Sequence, residues 1–281
     1  MRFSVSIFIT DQTIGPAEMA RESEARGLHA LYLPEHTHIP TSRATPAPMG
    51  DTLPDYYARC VDPFVALMAA AAATERLRVG TGICLIAQRD PIVTAKQAAT
   101  LDVLSGGRFT FGVGFGWNRE EALDHGVEWE CRRDIAREHV LAIRELWTGE
   151  EPSFSGEHVN FDATWQWPKP AQRPHPPIWL GAGAGPRNFA AIAEYADGWI
   201  PIGGRGLAAG IAELSRVCEA AGRDVATLDI VPFGSTPDPA KFEHFAALGV
   251  TEVVAYAPPA HADRVLPFLD RYAAIVEQFN G

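Results

Sequence analysis

Hydrophobic and polar positions along this chain switch repeatedly between two periods, and the switching outlines a fold. Alternating or continuous apolar runs at 2–9, 29–33, 77–84, 109–114, 177–181, 198–201, 228–232 and 252–256 predict strands. Helical spacing predicts helices at 16–26, 62–74, 91–104, 131–147, 186–195, 207–221, 238–247 and 261–278. After Asp90, for example, the apolar residues 92, 93, 98, 101 and 104 approximate a helical face, with Pro91 in the first turn. Such alternation predicts a parallel sheet with helices outside it. It does not by itself separate a closed barrel from a doubly wound open sheet.

Two long connections, 34–61 and 149–176, interrupt the pattern and are rich in proline and in aromatic or polar residues. Loops of this length usually carry function. In a barrel, loops that follow strands lie on the catalytic face, so 34–61 is expected to form a substrate-shaping lid beside Glu35 and His36. Met49, Tyr56 and Tyr57 are either pocket walls there or ordinary packing. Within 149–176, the run from Phe154 to Phe161 predicts a small hairpin around Gly156, on the opposite rim or a flank.

With 281 residues, 47% of them hydrophobic, the chain can bury one large core. Eight strand–helix units would average about 35 residues, which fits a barrel in a single domain spanning residues 1–281. The formal charge of −11 argues against nucleic acid or an anionic membrane as partner and favours a small molecule. Cys60, Cys84, Cys131 and Cys218 lack metal-binding or redox spacing and read as reduced thiols. The apolar run from Phe3 meets Asp11 too early for a secretory segment, and 63–74 is too short to cross a bilayer, so a cytoplasmic protein is expected.

Several motifs carry chemistry. Gly112, Gly114 and Gly116 form a Gly-x-Gly-x-Gly strand end that lets a planar ligand approach the main chain, whereas Gly80 and Gly82, on composition alone, read as relieving crowding in a barrel strand. The spacing is not that of a dinucleotide fingerprint. Asn118, followed by Glu120 and Glu121, reads first as a helix cap with acidic residues at the favourable end of the dipole. The run Gly181-Ala182-Gly183-Ala184-Gly185-Pro186-Arg187-Asn188 passes from strand to helix and offers free N–H groups and a guanidinium to a phosphate. His36 and His38 raise a rival reading as a metal-dependent hydrolase. Later strand ends lack the further ligands that reading requires.

Taken together, TGICLIAQRDPIVTAKQAATLDVLSGGRFTFGVGFGWNREE resembles the luciferase-like monooxygenase family, within it the branch using the deazaflavin coenzyme F420. Pro34-Glu35-His36, Pro177-Ile178-Trp179-Leu180-Gly181-Ala182-Gly183 and Ala196-Asp197-Gly198-Trp199 extend the resemblance over most of residues 1–203. It implies a (β/α)8 TIM barrel with long insertions after strand two and before strand five, and hydride transfer between F420 and a small organic substrate. It further implies a non-prolyl cis peptide at Gly82–Ile83 backing the cofactor ring, with Gly114, Phe115, Gly116 and Trp117 at its side. Gly181, Gly183, Ala184, Gly185 and Arg187 would hold phosphate, where some family members place serine or threonine hydroxyls. His36 matches a histidine beside the redox ring and would handle the proton, with Glu35 orienting it or tuning its pKa; the segment from Gly114 to Glu121 would line the cofactor pocket, with Glu120 or Glu121 reaching a reacting substrate. A homodimer is expected by the same resemblance. The alternatives are an FMN-dependent monooxygenase on the same fold and a flavin-binding protein without turnover.

Overall fold

The computed structural model describes residues 1–47, 50 and 52–280; Met49 lies outside the described residues. Chain order is β1 (Arg2–Ser6), α1 (Pro16–Ala25), β2 (Ala30–Leu33), α2 (Tyr56–Arg59), α3 (Pro63–Ala72), β3 (Arg78–Leu85), α4 (Pro91–Leu104), β4 (Phe109–Gly114), α5 (Arg119–Asp124) and α6 (Arg132–Thr148). There follow β5 (Phe154–Ser155), β6 (Asn160–Phe161), β7 (Ile178–Gly181), α7 (Pro186–Tyr195), β8 (Gly198–Ile200), α8 (Leu207–Ala220), β9 (Asp229–Ile230), α9 (Pro239–Ala247), β10 (Glu252–Tyr256) and α10 (Ala262–Asn280). Three helices begin at an Asp-Pro pair: Asp62, Asp90 and Asp238 each accept a backbone N–H while the proline occupies the first helical turn. Aspartate satisfies an orphan donor there, and proline has no N–H to lose.

All pairings among the eight long-range strands are parallel, in the order β10-β1-β2-β3-β4-β7-β8-β9. The last seam is carried by single bridges: Thr251 N donates to Ile230 O at 3.0 Å, Val254 N to Pro232 O at 3.1 Å and Gly234 N to Val254 O at 2.9 Å. These bonds join β9 and its extension to β10, so the sheet is a nearly closed eight-stranded barrel with helices outside, as expected. A large apolar core fills the space between strands and helices. A smaller one inside the barrel groups Ala30, Tyr32, Trp179, Ile200, Val231, Phe233 and Val254, with Ile83 packed against it.

The insertion 149–176 carries the two-stranded hairpin β5–β6, antiparallel as anticipated. Its later part clamps the barrel's base: Gln172 bonds Asp102 and Phe109 O, and Arg78 at the start of β3 reaches Gln172. The insertion 34–61 instead lies on the opposite rim, where Tyr56 and Tyr57 begin α2. No described helix is long and apolar enough to cross a membrane.

Candidate active site

A cavity of about 770 Å³ opens at the C-terminal ends of the barrel strands. His36, three residues past β2, lies in its wall, with its ring centroid 5.3 Å from Tyr57 and 5.7 Å from Trp117. Its Nδ1 is 2.8 Å from Glu121 Oε2, and both side chains are buried. Glu121 Oε1 accepts from Thr37 N at 3.2 Å, and Asn118, capping α5, accepts from Glu121 N at 3.2 Å. Trp117 Nε1 donates to His36 Nε2 at 3.3 Å. An indole can only donate, so Nε2 carries the lone pair and Nδ1 the proton it gives to Glu121. One ring nitrogen is thereby fixed, and the other is left basic at the cavity surface.

The expected partnership of Glu35 with His36 is corrected by these contacts. Glu35 accepts from Leu85 N at 2.7 Å and from Arg89 Nε at 2.6 Å, and Arg89 continues to Asp62 at 2.8 Å. Both side chains reach the cavity wall, but the Glu35 carboxylate is taken up by Leu85 N and Arg89 at the adjacent β3 end, while His36 bonds Glu121. The carboxylate that orients His36 is Glu121, which sequence reasoning ranked first as part of a cap. Glu120 instead reaches the 34–61 connection, accepting from Thr45 N at 3.1 Å.

The Gly82–Ile83 peptide is cis, and the β3–β4 register shifts between Thr81 and Cys84. The bulge thrusts Ile83 into the cavity floor. A Cβ on Gly114 would stand 2.0 Å from Ile83 Cδ1, and one on Gly181 would stand 2.7 Å from Ile83 Cγ2. At Gly112 the nearest atom is Thr81 O, at 2.2 Å. Gly112 and Gly114 thus make room for the bulge and for Ile83 and are not in the cavity wall, a correction to the reading that they admit a ligand directly, while Gly181 both packs on Ile83 and lines the cavity. Gly82, Ile83, Phe115, Gly116, Trp117, Gly181 and Gly183 do line the cavity.

Beyond β7 the loop at Gly183 is open, with nothing within 4 Å of a Cβ position. Ala184 and Gly185 lead from it into α7 but are not part of the cavity wall. Arg187 is also outside that wall: its side chain is 69% exposed and stands 3.9 Å from Asp134. The cations in the wall are Arg132 and Arg133, at the start of α6. Arg133 donates to Asn188 Oδ1, Asn188 Nδ2 donates to Gly183 O at 2.9 Å, and the Arg133 guanidinium lies 4.4 Å from the Phe115 ring centroid. Arg132 packs over Trp129, 3.6 Å from its centroid, with Nε buried and unpartnered among the described residues. Burial, and then repulsion from Arg133 and Arg187, lowers the pKa of Arg132; burial and Arg187 do the same to Arg133. Two arginines in a helix's first turn also oppose its dipole. The Arg-Arg pair at a predicted helix start is the sequence signal of cations at the cavity wall.

His38 is directed to Asp124 at 3.0 Å and is not in the cavity wall. Among the described residues no group of three or more His, Cys, Asp or Glu side chains is placed to hold a metal ion.

Comparison with known proteins accords with this architecture. The luciferase-like monooxygenase family model matches residues 12–237. An uncharacterized protein of Mycobacterium tuberculosis is 44% identical over 278 residues, covering 98% of each chain. Among solved structures, monooxygenase RslO1 from Streptomyces bottropensis superposes with a TM-score of 0.78 at 19% identity, covering 100% of both chains. An F420-dependent secondary alcohol dehydrogenase, in complex with an F420-acetone adduct, gives 0.77 at 18% identity and 99% coverage of both.

Proposed function

Because the chain belongs to the luciferase-like monooxygenase family, we propose that it is an oxidoreductase that binds coenzyme F420 in the rim cavity and exchanges a hydride with a small organic substrate. The observation that carries the choice of F420 is the arginine cluster. Burial first, and then mutual repulsion among Arg132, Arg133 and Arg187, lowers the pKa of Arg132 and Arg133 even though Glu130 and Asp134 stand nearby. A tail bearing a phosphodiester and several carboxylates, running from the wall arginines Arg132 and Arg133 out towards Arg187, suits this cluster better than the single phosphate of FMN. Gly183 adds an open backbone approach, and Ile83 presents an apolar side chain to the face of a planar ring.

When bound, the deazaflavin would accept or supply the hydride. The accompanying proton is assigned to His36. Nδ1 is committed to Glu121, so Nε2 takes the proton from an alcohol being oxidised or returns it to a carbonyl being reduced. Trp117, whose indole meets Nε2 in this structure, must yield that position to the substrate oxygen. Glu121 stabilises the imidazolium that forms when Nε2 is protonated. Replacing His36 by alanine is expected to lower turnover by roughly 10²–10⁴-fold with cofactor affinity retained.

Parallel fluorescence and absorbance titrations with F420 and FMN in the same buffer test the reading. Tight F420 binding that weakens in Arg133→Ala, with FMN binding weaker, supports it. Tighter FMN binding, with oxygen consumed during turnover, replaces it with the monooxygenase chemistry. Binding of neither sinks both.

A further inference from the structure

The cavity wall divides by polarity, and the strand order sets the two parts apart. In the sequence of strands around the ring, β4 and β7 stand across from β10 and β1. Arg132, Arg133 and Asn188 gather in the β4/β7 sector. The β10/β1/β2 sector is walled by Phe8, Tyr56, Tyr57, Tyr256, Pro258 and Pro259. The other lining charge is Glu35, already neutralised by Arg89. Phe8 lies 4.8 Å from Tyr56 and 4.7 Å from Tyr57, and Tyr57 meets His36 at 5.3 Å, all between ring centroids. Tyr256 faces the same group: burial, followed by Tyr57 and Tyr56, pushes its hydroxyl up to about 12. It is held there against Gly234, where a Cβ would approach the Tyr256 ring to 2.7 Å.

We infer that this aromatic sector is the substrate subsite, and that it selects an uncharged, ring-sized apolar molecule bearing one ketone or alcohol group aimed at His36 Nε2. Aromatic walls remove apolar area from water and stack on planar rings. A second charge on the substrate would lose hydration, because no free opposite charge lines this sector among the described residues. Aromatic walls also attract cations, but the arginines opposite disfavour one. The inference rests on the cavity being a redox site. Its test separates the two readings by measuring probe binding without cofactor.

Acetophenone, 4-acetylbenzoate and 4-acetylphenyltrimethylammonium are titrated into the full chain by saturation-transfer NMR, with inorganic phosphate present to occupy the arginine sector. Acetophenone is expected to saturate and to bind at least about tenfold more tightly than either charged probe. Phe8→Ala and Tyr256→Ala should each weaken it by roughly tenfold, while their F420 affinity reports an intact cavity. Equal binding of a charged probe, or acetophenone affinity unchanged in both variants, overturns the subsite. If the probes behave as expected but F420 fails to bind the wild type, the subsite stands and the deazaflavin assignment falls.

Discussion

Replacing Gly112 by alanine tests whether the β3 bulge dictates the glycine opposite it. The new Cβ would lie 2.2 Å from Thr81 O and 3.3 Å from the Thr81 carbonyl carbon. Those are backbone atoms, already fixed by the bond from Thr81 Oγ1 to Gly112 O at 2.7 Å and by the flanking pairs Thr81–Phe111 and Cys84–Val113. The contact is about 1 Å inside normal separation, so the two strands must part at the bulge. Overpacking costs roughly 1–3 kcal/mol, and an immovable partner puts this substitution at the upper end, about 3 kcal/mol. The lower chain entropy of alanine returns roughly 0.4–1 kcal/mol, leaving about 2 kcal/mol net and a Tm lower by about 5 °C. At Gly114 the clashing atom is the terminal Cδ1 of Ile83, which can turn into the cavity. Gly114→Ala is therefore expected to cost under about 1 kcal/mol but to weaken cofactor binding. Differential scanning calorimetry and a cofactor titration read the two effects. An unchanged Tm in Gly112→Ala, or a larger loss in Gly114→Ala than in Gly112→Ala, would refute this account.

Periodicity carried the barrel because its strands are short apolar runs buried on both faces, as in β2 and β4, alternating with helices such as α6 that bury one face. The predicted strand at 2–9 stops at Ser6 because, after Ile7 N bonds Tyr32 O, the chain turns to the 34–61 connection, where Val61 N donates to Ile9 O and Thr10 bridges Cys60. The helix α2 has four residues, too few for any period to register. His36 was legible from its place after a strand, yet its partner was not. Glu121 is 85 positions away and reaches it only because β2 and β4 flank β3. Sequence adjacency favoured Glu35, but its carboxylate is already committed to Leu85 N and Arg89. The glycines were recognisable as close approaches; what approaches them depended on the path of β3 through Ile83. Arg187 was chosen for its loop, whereas the cations that reach the cavity come from α6, a helix that starts beside the same rim after a separate stretch of chain.

Other consequences follow from the same contacts. Arg133→Ala should weaken F420 or phosphate binding by about tenfold while leaving Tm unchanged or raised, since it relieves repulsion with its neighbours; a large fall in Tm would make Arg133 structural instead. Glu121→Ala, which frees His36 Nδ1 and Thr37 N, should reduce kcat/KM by roughly 10–100-fold with F420 affinity kept, and an unaltered kcat/KM would show that His36 needs no orientation. His29 has its pKa lowered from 6.5 to about 4 by burial and by Arg2 and Arg78. Its neutral form is the folded one, so stability should fall between about pH 6.5 and 4 and should fall less in His29→Gln; parallel acid curves would contradict this. Glu252 runs the other way. Burial raises its pKa above 4.5, outweighing Arg2 and the bond from Tyr32. Its protonated form is favoured in the fold, so the stability it contributes is present below about pH 4.5 and is lost as pH rises toward the folded value. Glutamine keeps an acceptor for Tyr32 and has no proton to lose, and Arg2 retains Asp229 at 2.6 Å. The Tm of Glu252→Gln relative to wild type should therefore climb as pH increases from 4.5 to 8. A relative Tm that falls over that range would mean that attraction to Arg2, rather than burial, governs this carboxylate beneath the barrel.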